Sequence, residues 1–180
     1  MKVERASLPD VLIIEPKVFG DARGFFMETW NARVFEDLGI KAKFVQDNHS
    51  RSARNVLRGL HYQLRQPQGK LIRVTVGEIW DVAVDLRRGS PNFGRWTGLN
   101  LTAAMPRMLW VPAGFAHGFV VLSEHAEVQY KTTDFYAPEH ERTLLWNDPA
   151  LGITWPHRGK PVLSEKDRSG TPLAKAETFA

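Results

Sequence analysis

Arg58-Gly59-Leu60-His61-Tyr62-Gln63 sets one imidazole in a strand-like run and offers no second histidine where a metal site would demand one. The stretch therefore reads as a β-strand that carries acid–base chemistry. Working outward, Gly69-Lys70-Leu71-Ile72-Arg73 follows closely, and Pro112-Ala113-Gly114-Phe115-Ala116-His117 repeats the pairing of a turn with a histidine. Two such elements point to a small barrel with its chemistry inside.

The wider pattern agrees. From Lys43 to Trp146 short β-rich runs alternate with turn signals, giving expected strands at 71–76, 79–86, 96–101, 119–122 and 127–133. Gln66-Pro67-Gln68-Gly69, Gly77-Glu78, Arg88-Gly89-Ser90-Pro91-Asn92 and Pro112-Ala113-Gly114 break them, because Gly and Pro supply turn geometry and interrupt ladders. Strands at this interval make an all-β sandwich or barrel. One helix is expected over Asn31 to Leu38, capped by Asn31, with Val34, Phe35 and Leu38 at helical spacing and Gly39 ending it on the surface. Ser164-Glu165-Lys166-Asp167-Arg168 reads, on charge alone, as the start of a solvated tail whose last residues fray.

A chain of 180 residues suits one domain spanning 1–180, with no repeat, low-complexity tract or linker to divide it. The absence of cysteine excludes disulfides, thiolate ligands and thiol nucleophiles, and makes a reducing, cytoplasmic setting the default. Val11-Leu12-Ile13-Ile14 is too short for a signal-peptide core, and no apolar run approaches the roughly 18 residues of a membrane span. No membrane association is expected. Lys and Arg total 24 against 20 Asp and Glu, a small surplus spread along the chain rather than gathered in a stripe. That distribution suits an anionic small molecule better than nucleic acid.

Several side chains are candidates for chemistry. His61 is a base if a carboxylate holds its other nitrogen, and otherwise an ordinary hydrogen-bonded core histidine; the sequence does not identify the carboxylate. Lys70 reads by position as a surface lysine, yet an ammonium beside a carbonyl would stabilise developing negative charge. Arg23 and Arg58 have the fork geometry that suits phosphate. Strict alternation puts Arg58 and His61 on opposite faces, so a shared site requires a bulge at Gly59 or a second subunit. Tyr130 and Tyr136 are either packing residues or, respectively, a proton donor and a stacking platform. With Gln63 where a His-x-His pair would need its second ring, and only His117 as a later ligand, no metal is expected. His117 then bonds substrate or the core.

Together Phe19-Gly20-Asp21-Ala22-Arg23-Gly24-Phe25-Phe26, Gln46-Asp47-Asn48-His49-Ser50, Val56 to Gln63, the Pro112 to His117 turn, the tyrosine segment and Leu163-Ser164-Glu165-Lys166-Asp167 resemble the dTDP-4-dehydrorhamnose 3,5-epimerases. The resemblance spans nearly the whole chain. It implies a cupin-type jelly-roll β-barrel with a few short peripheral helices, working as a homodimer without metal or cofactor. It implies His61 as general base, Asp167 as its dyad partner, Tyr130 as general acid and Lys70 as the group that steadies the enolate oxygen. Arg23, Glu28, Gln46, Asp47, Asn48, Arg58, His117, Glu141 and Lys166 would contact the nucleotide sugar, and Tyr136 would stack on thymine. The implied substrate is dTDP-4-dehydro-6-deoxy-D-glucose. A homologue epimerising only C3 or only C5 could keep nearly all these residues; a non-catalytic nucleotide-sugar-binding cupin and a metal-dependent oxygenase are the rivals from other classes.

Overall fold

The computed structural model describes residues Met1–Ala180. The chain opens with β1 (Lys2–Arg5), β2 (Leu12–Glu15) and the hairpin strands β3 (Val18–Asp21) and β4 (Gly24–Met27), followed by helix α1 (Ala32–Asp37). Then come β5 (Gln46–Ala53), β6 (Leu57–Gln63), β7 (Lys70–Val76), β8 (Glu78–Asp85) and β9 (Trp96–Thr102). The last strands are β10 (Met108–Val111), β11 (Phe115–Val121), β12 (His125–Thr132) and β13 (Glu141–Thr143), with α2 (Glu165–Arg168) near the C-terminus.

Two antiparallel sheets face each other, six strands in the order β1-β2-β10-β7-β12-β5 and five in the order β13-β6-β11-β8-β9, while β3-β4 stands apart as its own ribbon. This is the expected jelly roll. Period-2 alternation builds its interior: Ile72 and Val74 of β7, Ala126 and Val128 of β12, Ile79 and Ala83 of β8 and Phe115, Phe119 and Val121 of β11 meet between the sheets. The alternate residues do a different job. Val82, Val84, Ala116 and Val120 point out of the five-stranded sheet and are covered by Leu144, Leu151, Trp155 and Ala176 from the C-terminal segment.

That covering corrects the expectation of a fraying tail. Leu86 O accepts from Phe179 N at 3.0 Å, Phe179 O accepts from Arg88 N at 2.9 Å, and the Tyr62 hydroxyl donates to Glu177 O at 2.6 Å. Backbone bonds and apolar cover hold the tail where its charge suggested solvent.

Asn31 caps α1, its side chain accepting from the backbone N–H groups of Arg33 and Val34, and Gly39 follows with φ +83°. The helix lies outside the six-stranded sheet but is not purely superficial, since Phe35 is buried against Ile14, Leu71 and Met108. That one ring supplies about 2 kcal/mol of apolar burial. No helix is long and apolar enough to cross a membrane.

Candidate active site

The Arg58–His61 difficulty is resolved by the pairing of β6 with β11. His117 stands opposite His61 and Phe119 opposite Arg58, so Gly59 and Leu60 together oppose Gly118 alone. This is a β-bulge, and its extra residue turns Arg58 and His61 to the same face. Leu57 and Leu60 correspondingly both join the outer cluster. Gly59, at φ +124°, lies against Gly118 so closely that a Cβ on it would meet Gly118 Cα at 2.6 Å. The two glycines permit the bulge, and the bulge makes the site.

Between the sheets lies a cavity of about 340 Å³. His61, Arg58 and His117 line it from the five-stranded sheet; Lys70, Tyr130, Gln46 and Asn48 line it from the six-stranded sheet, with Tyr136, Glu141 and Lys166 also on its wall. A larger groove of about 620 Å³ along Met1, Glu15, Lys17 and Arg107 gathers no comparable set of titratable groups and stands apart from the chemistry.

His61 is held from behind. Its Nε2 lies 2.6 Å from Asp167 Oδ1, which also accepts from Gly59 N at 3.2 Å, while Ser164 Oγ donates to Asp167 Oδ2 at 2.6 Å. Asp167 is almost wholly buried. Burial works to raise its pKa, but the bonds from His61, Ser164 and Gly59 outweigh it and hold the carboxyl at about 2. His61 itself is pushed below its ordinary value by burial, against the opposing pull of Asp167. The ring is thus neutral at neutral pH, and with Nε2 donating to Asp167 it is Nδ1 that remains to accept a proton.

Lys70 is no surface lysine. At the start of β7 its side chain turns inward, 9 % exposed, with Nζ 3.4 Å from His61 O, and burial lowers its pKa to about 8. It still carries most of its charge at neutral pH. Burial raises the Tyr130 pKa against the opposing charge of Arg58, so the phenol keeps its proton. At the exposed mouth Tyr136 donates to Glu141 Oε2 at 3.0 Å, and Lys166 donates to Glu141 Oε1 at 2.9 Å. Burial opposes ionisation of Glu141, but Lys166 and Tyr136 hold its pKa below the usual carboxylate value.

Three anticipated contacts lie elsewhere. Gln46 and Asn48 face the cavity, so alternation turns Asp47 outward, where it takes Lys131 Nζ at 2.6 Å. Arg23 sits on the β3-β4 ribbon paired with Asp21, and Glu28 accepts from Asn31 Nδ2 at 3.0 Å just beyond it. Conversely, three supporting residues were missed. Ser164 could have been read from its Ser-x-x-Asp capping pattern. Asp81, 2.9 Å from His117 Nε2, could have been read as the one carboxylate between apolar inward positions of β8. Gln63 could not: it anchors the tyrosine loop through bonds with Ala137 N and Phe135 O, contacts remote in sequence.

A neutral imidazole held on one wall and an undissociated phenol on the facing wall are the pair of groups that would let a proton leave one side of a ring and return on the other, which is the work of a carbohydrate epimerase. Comparison with known proteins agrees. The family model for dTDP-4-dehydrorhamnose 3,5-epimerase matches residues 5–175. The chain is 64% identical over 180 residues to the dTDP-4-dehydrorhamnose 3,5-epimerase of Pseudomonas aeruginosa, covering 99% of each, and 57% identical to that of Salmonella typhimurium, covering 98% of this chain and 97% of the other. A Legionella pneumophila epimerase solved with dTDP-4-keto-L-rhamnose superposes with TM-score 0.96 at 49% identity, covering 98% of this chain and 94% of that one. A 3'-monoepimerase from Streptomyces bikiniensis, solved with dTDP-quinovose, gives TM-score 0.89 at 32% identity, covering 95% and 87%. The chain belongs to the dTDP-4-dehydrorhamnose 3,5-epimerase family, and its barrel is of the cupin type.

Proposed function

We propose that residues 1–180 act as one catalytic domain that epimerises C3 and C5 of dTDP-4-dehydro-6-deoxy-D-glucose, giving dTDP-4-dehydro-L-rhamnose. The observation that carries the reading is the His61–Asp167 dyad on one sheet, sharing a cavity with Tyr130 on the other. Both C3 and C5 adjoin the C4 carbonyl, so loss of either proton gives an enolate whose charge rests on the C4 oxygen. One site serves both carbons. His61 Nδ1 takes the proton, the Lys70 ammonium steadies the oxygen, and Tyr130 delivers a proton to the opposite face. Arg58, Gln46, Asn48, His117, Glu141 and Lys166 bind the remote nucleotide and sugar oxygens, with Tyr136 stacking on the base. Binding energy from those parts orients the reacting ring. The identity of 64% to a 3,5-epimerase, against 32% to a 3'-monoepimerase, favours double over single epimerisation.

Turnover in deuterium oxide, with label resolved by position, tests this. Wild type should place deuterium at both C3 and C5. Label at one carbon would select a single epimerase, and no label despite bound nucleotide sugar would refute the enzyme reading. Tyr130→Phe should lower formation of inverted product about 100-fold while label still enters recovered substrate, since His61 can return a solvent proton to the same face. Equal loss of exchange and inversion would remove Tyr130 from the acid role.

The protein is further proposed to be a homodimer in which the β3-β4 ribbon reaches the partner's cavity. The ribbon exposes Phe19, Phe25 and Phe26 at 52%, 71% and 69%, an apolar patch that calls for a cover, and it carries Arg23 away from its own cavity. If so, Arg23→Ala and His61→Asn, each inactive alone, should complement on co-expression, because a mixed dimer has one intact site. Random pairing then gives about a quarter of wild-type activity. Activity no higher than the variants alone, or a monomer by sedimentation, would overturn the shared site.

A further inference from the structure

Asp81 stands in β8 between the inward-facing core residues Ile79 and Ala83, and its carboxylate is fully buried. Its oxygens both lie 2.9 Å from His117 Nε2, the one hydrogen-bond partner of the side chain. As an element of the fold this is an expensive choice, because burying a carboxylate costs several kcal/mol and apolar replacements of buried ion pairs often leave a protein as stable or more so. Its position suggests what it serves. His117 is in register with His61 across β6 and β11, and both rings line the same cavity wall. A ring free to rotate there could present either nitrogen. Once Nε2–H is committed to Asp81, Nδ1 alone is offered to a ligand, in one orientation.

The carboxylate also acts at a distance. Lys70 shares this cavity with Glu141 of β13, Lys166 of α2, His61 of β6 and His117 of β11. Burial lowers the Lys70 pKa; Glu141 and then Asp81 oppose that, while Lys166 adds to it. Glu141 is already engaged by Lys166 and Tyr136. Asp81, by contrast, bonds no lysine or arginine.

We propose that Asp81 is a positioning residue of the epimerase site, fixing the tautomer and orientation of His117 and supplying the buried negative charge against which the Lys70 ammonium is held. This rests on the reading of the cavity as the epimerase site. It assigns Asp81 no contact with substrate.

Asp81→Asn and Asp81→Leu separate the two parts. Asparagine keeps the volume and can still accept from His117, but removes the charge. It should lower kcat about tenfold at pH 7, move the alkaline limb of kcat/KM to lower pH, and leave KM and the Kd for dTDP within about twofold. Leucine also removes the acceptor that holds His117, itself one of the nucleotide-sugar contacts, and should lower kcat/KM about 100-fold with KM rising as well. Wild-type kcat with an unmoved alkaline limb in Asp81→Asn would overturn the proposal. So would a joint fall of kcat, dTDP affinity and Tm in both variants, which is what a purely structural residue would give. If wild type itself exchanges no deuterium into the sugar, the epimerase reading fails instead, and the two failures are told apart by that control.

Discussion

His61→Asn is expected to lose about 10³-fold in kcat, roughly 4 kcal/mol of transition-state stabilisation, while the Kd for dTDP stays within about twofold. Asparagine matches the imidazole approximately in size and can still donate to Asp167, so the wall of the cavity should survive. What disappears is the nitrogen proposed to take the proton. Asp167, with its pKa held at about 2, stays ionised throughout the working range and so can hold the proposed base in place. The pH profile follows by sign. The base must be neutral, so kcat/KM falls as pH drops through the His61 pKa, which burial has moved below its ordinary 6.5. The ammonium must be charged, so kcat/KM falls again as pH rises through about 8, the Lys70 value. Full activity in His61→Asn, or a bell without an acid limb, would remove His61 from the mechanism.

Much of this site was legible because its residues obey local rules. Alternation and turn chemistry sufficed to find the strands beside Lys70 and around Asp81 and Tyr130, and Asn31 with Gly39 bounded the one longer helix, but the strand expected from 119 left His117 in the preceding turn, whereas β11 already begins at Phe115. The roles of Asp167 and Glu141 came from resemblance, since neither spacing nor charge brings α2 and β13 beside β6. That juxtaposition is tertiary, fixed by the C-terminal segment packing on the outer face of the five-stranded sheet. Lys70 misled for a related reason: at the first position of a strand, inward and outward are undecided until the register with β12 sets Lys70 opposite buried Thr132. Asp47 shows the opposite case. Family motif placed it among the ligands, whereas simple alternation between Gln46 and Asn48 already turns it out of its own cavity.

Gly59→Ala tests the step on which the rest of the geometry depends. The added methyl would sit 2.6 Å from Gly118 Cα and 2.8 Å from His117 O, both backbone atoms that cannot swing aside as a side chain would. The backbone at φ +124° adds its own penalty for any residue with a Cβ. Either β6 and β11 separate or the bulge is lost, and loss of the bulge sends Arg58 and His61 to opposite faces. We expect destabilisation of about 3 kcal/mol, a drop in Tm on the order of 10 °C. Turnover should be lost beyond what the reduced stability explains, with the folded fraction measured at low temperature still inactive. Gly89→Ala is the control, since a Cβ there meets nothing within 4 Å, and it should change neither Tm nor kcat. A Gly59→Ala protein with wild-type Tm and turnover would mean that the close approach of the two glycines is dispensable, and that the shared face of Arg58 and His61 does not depend on it.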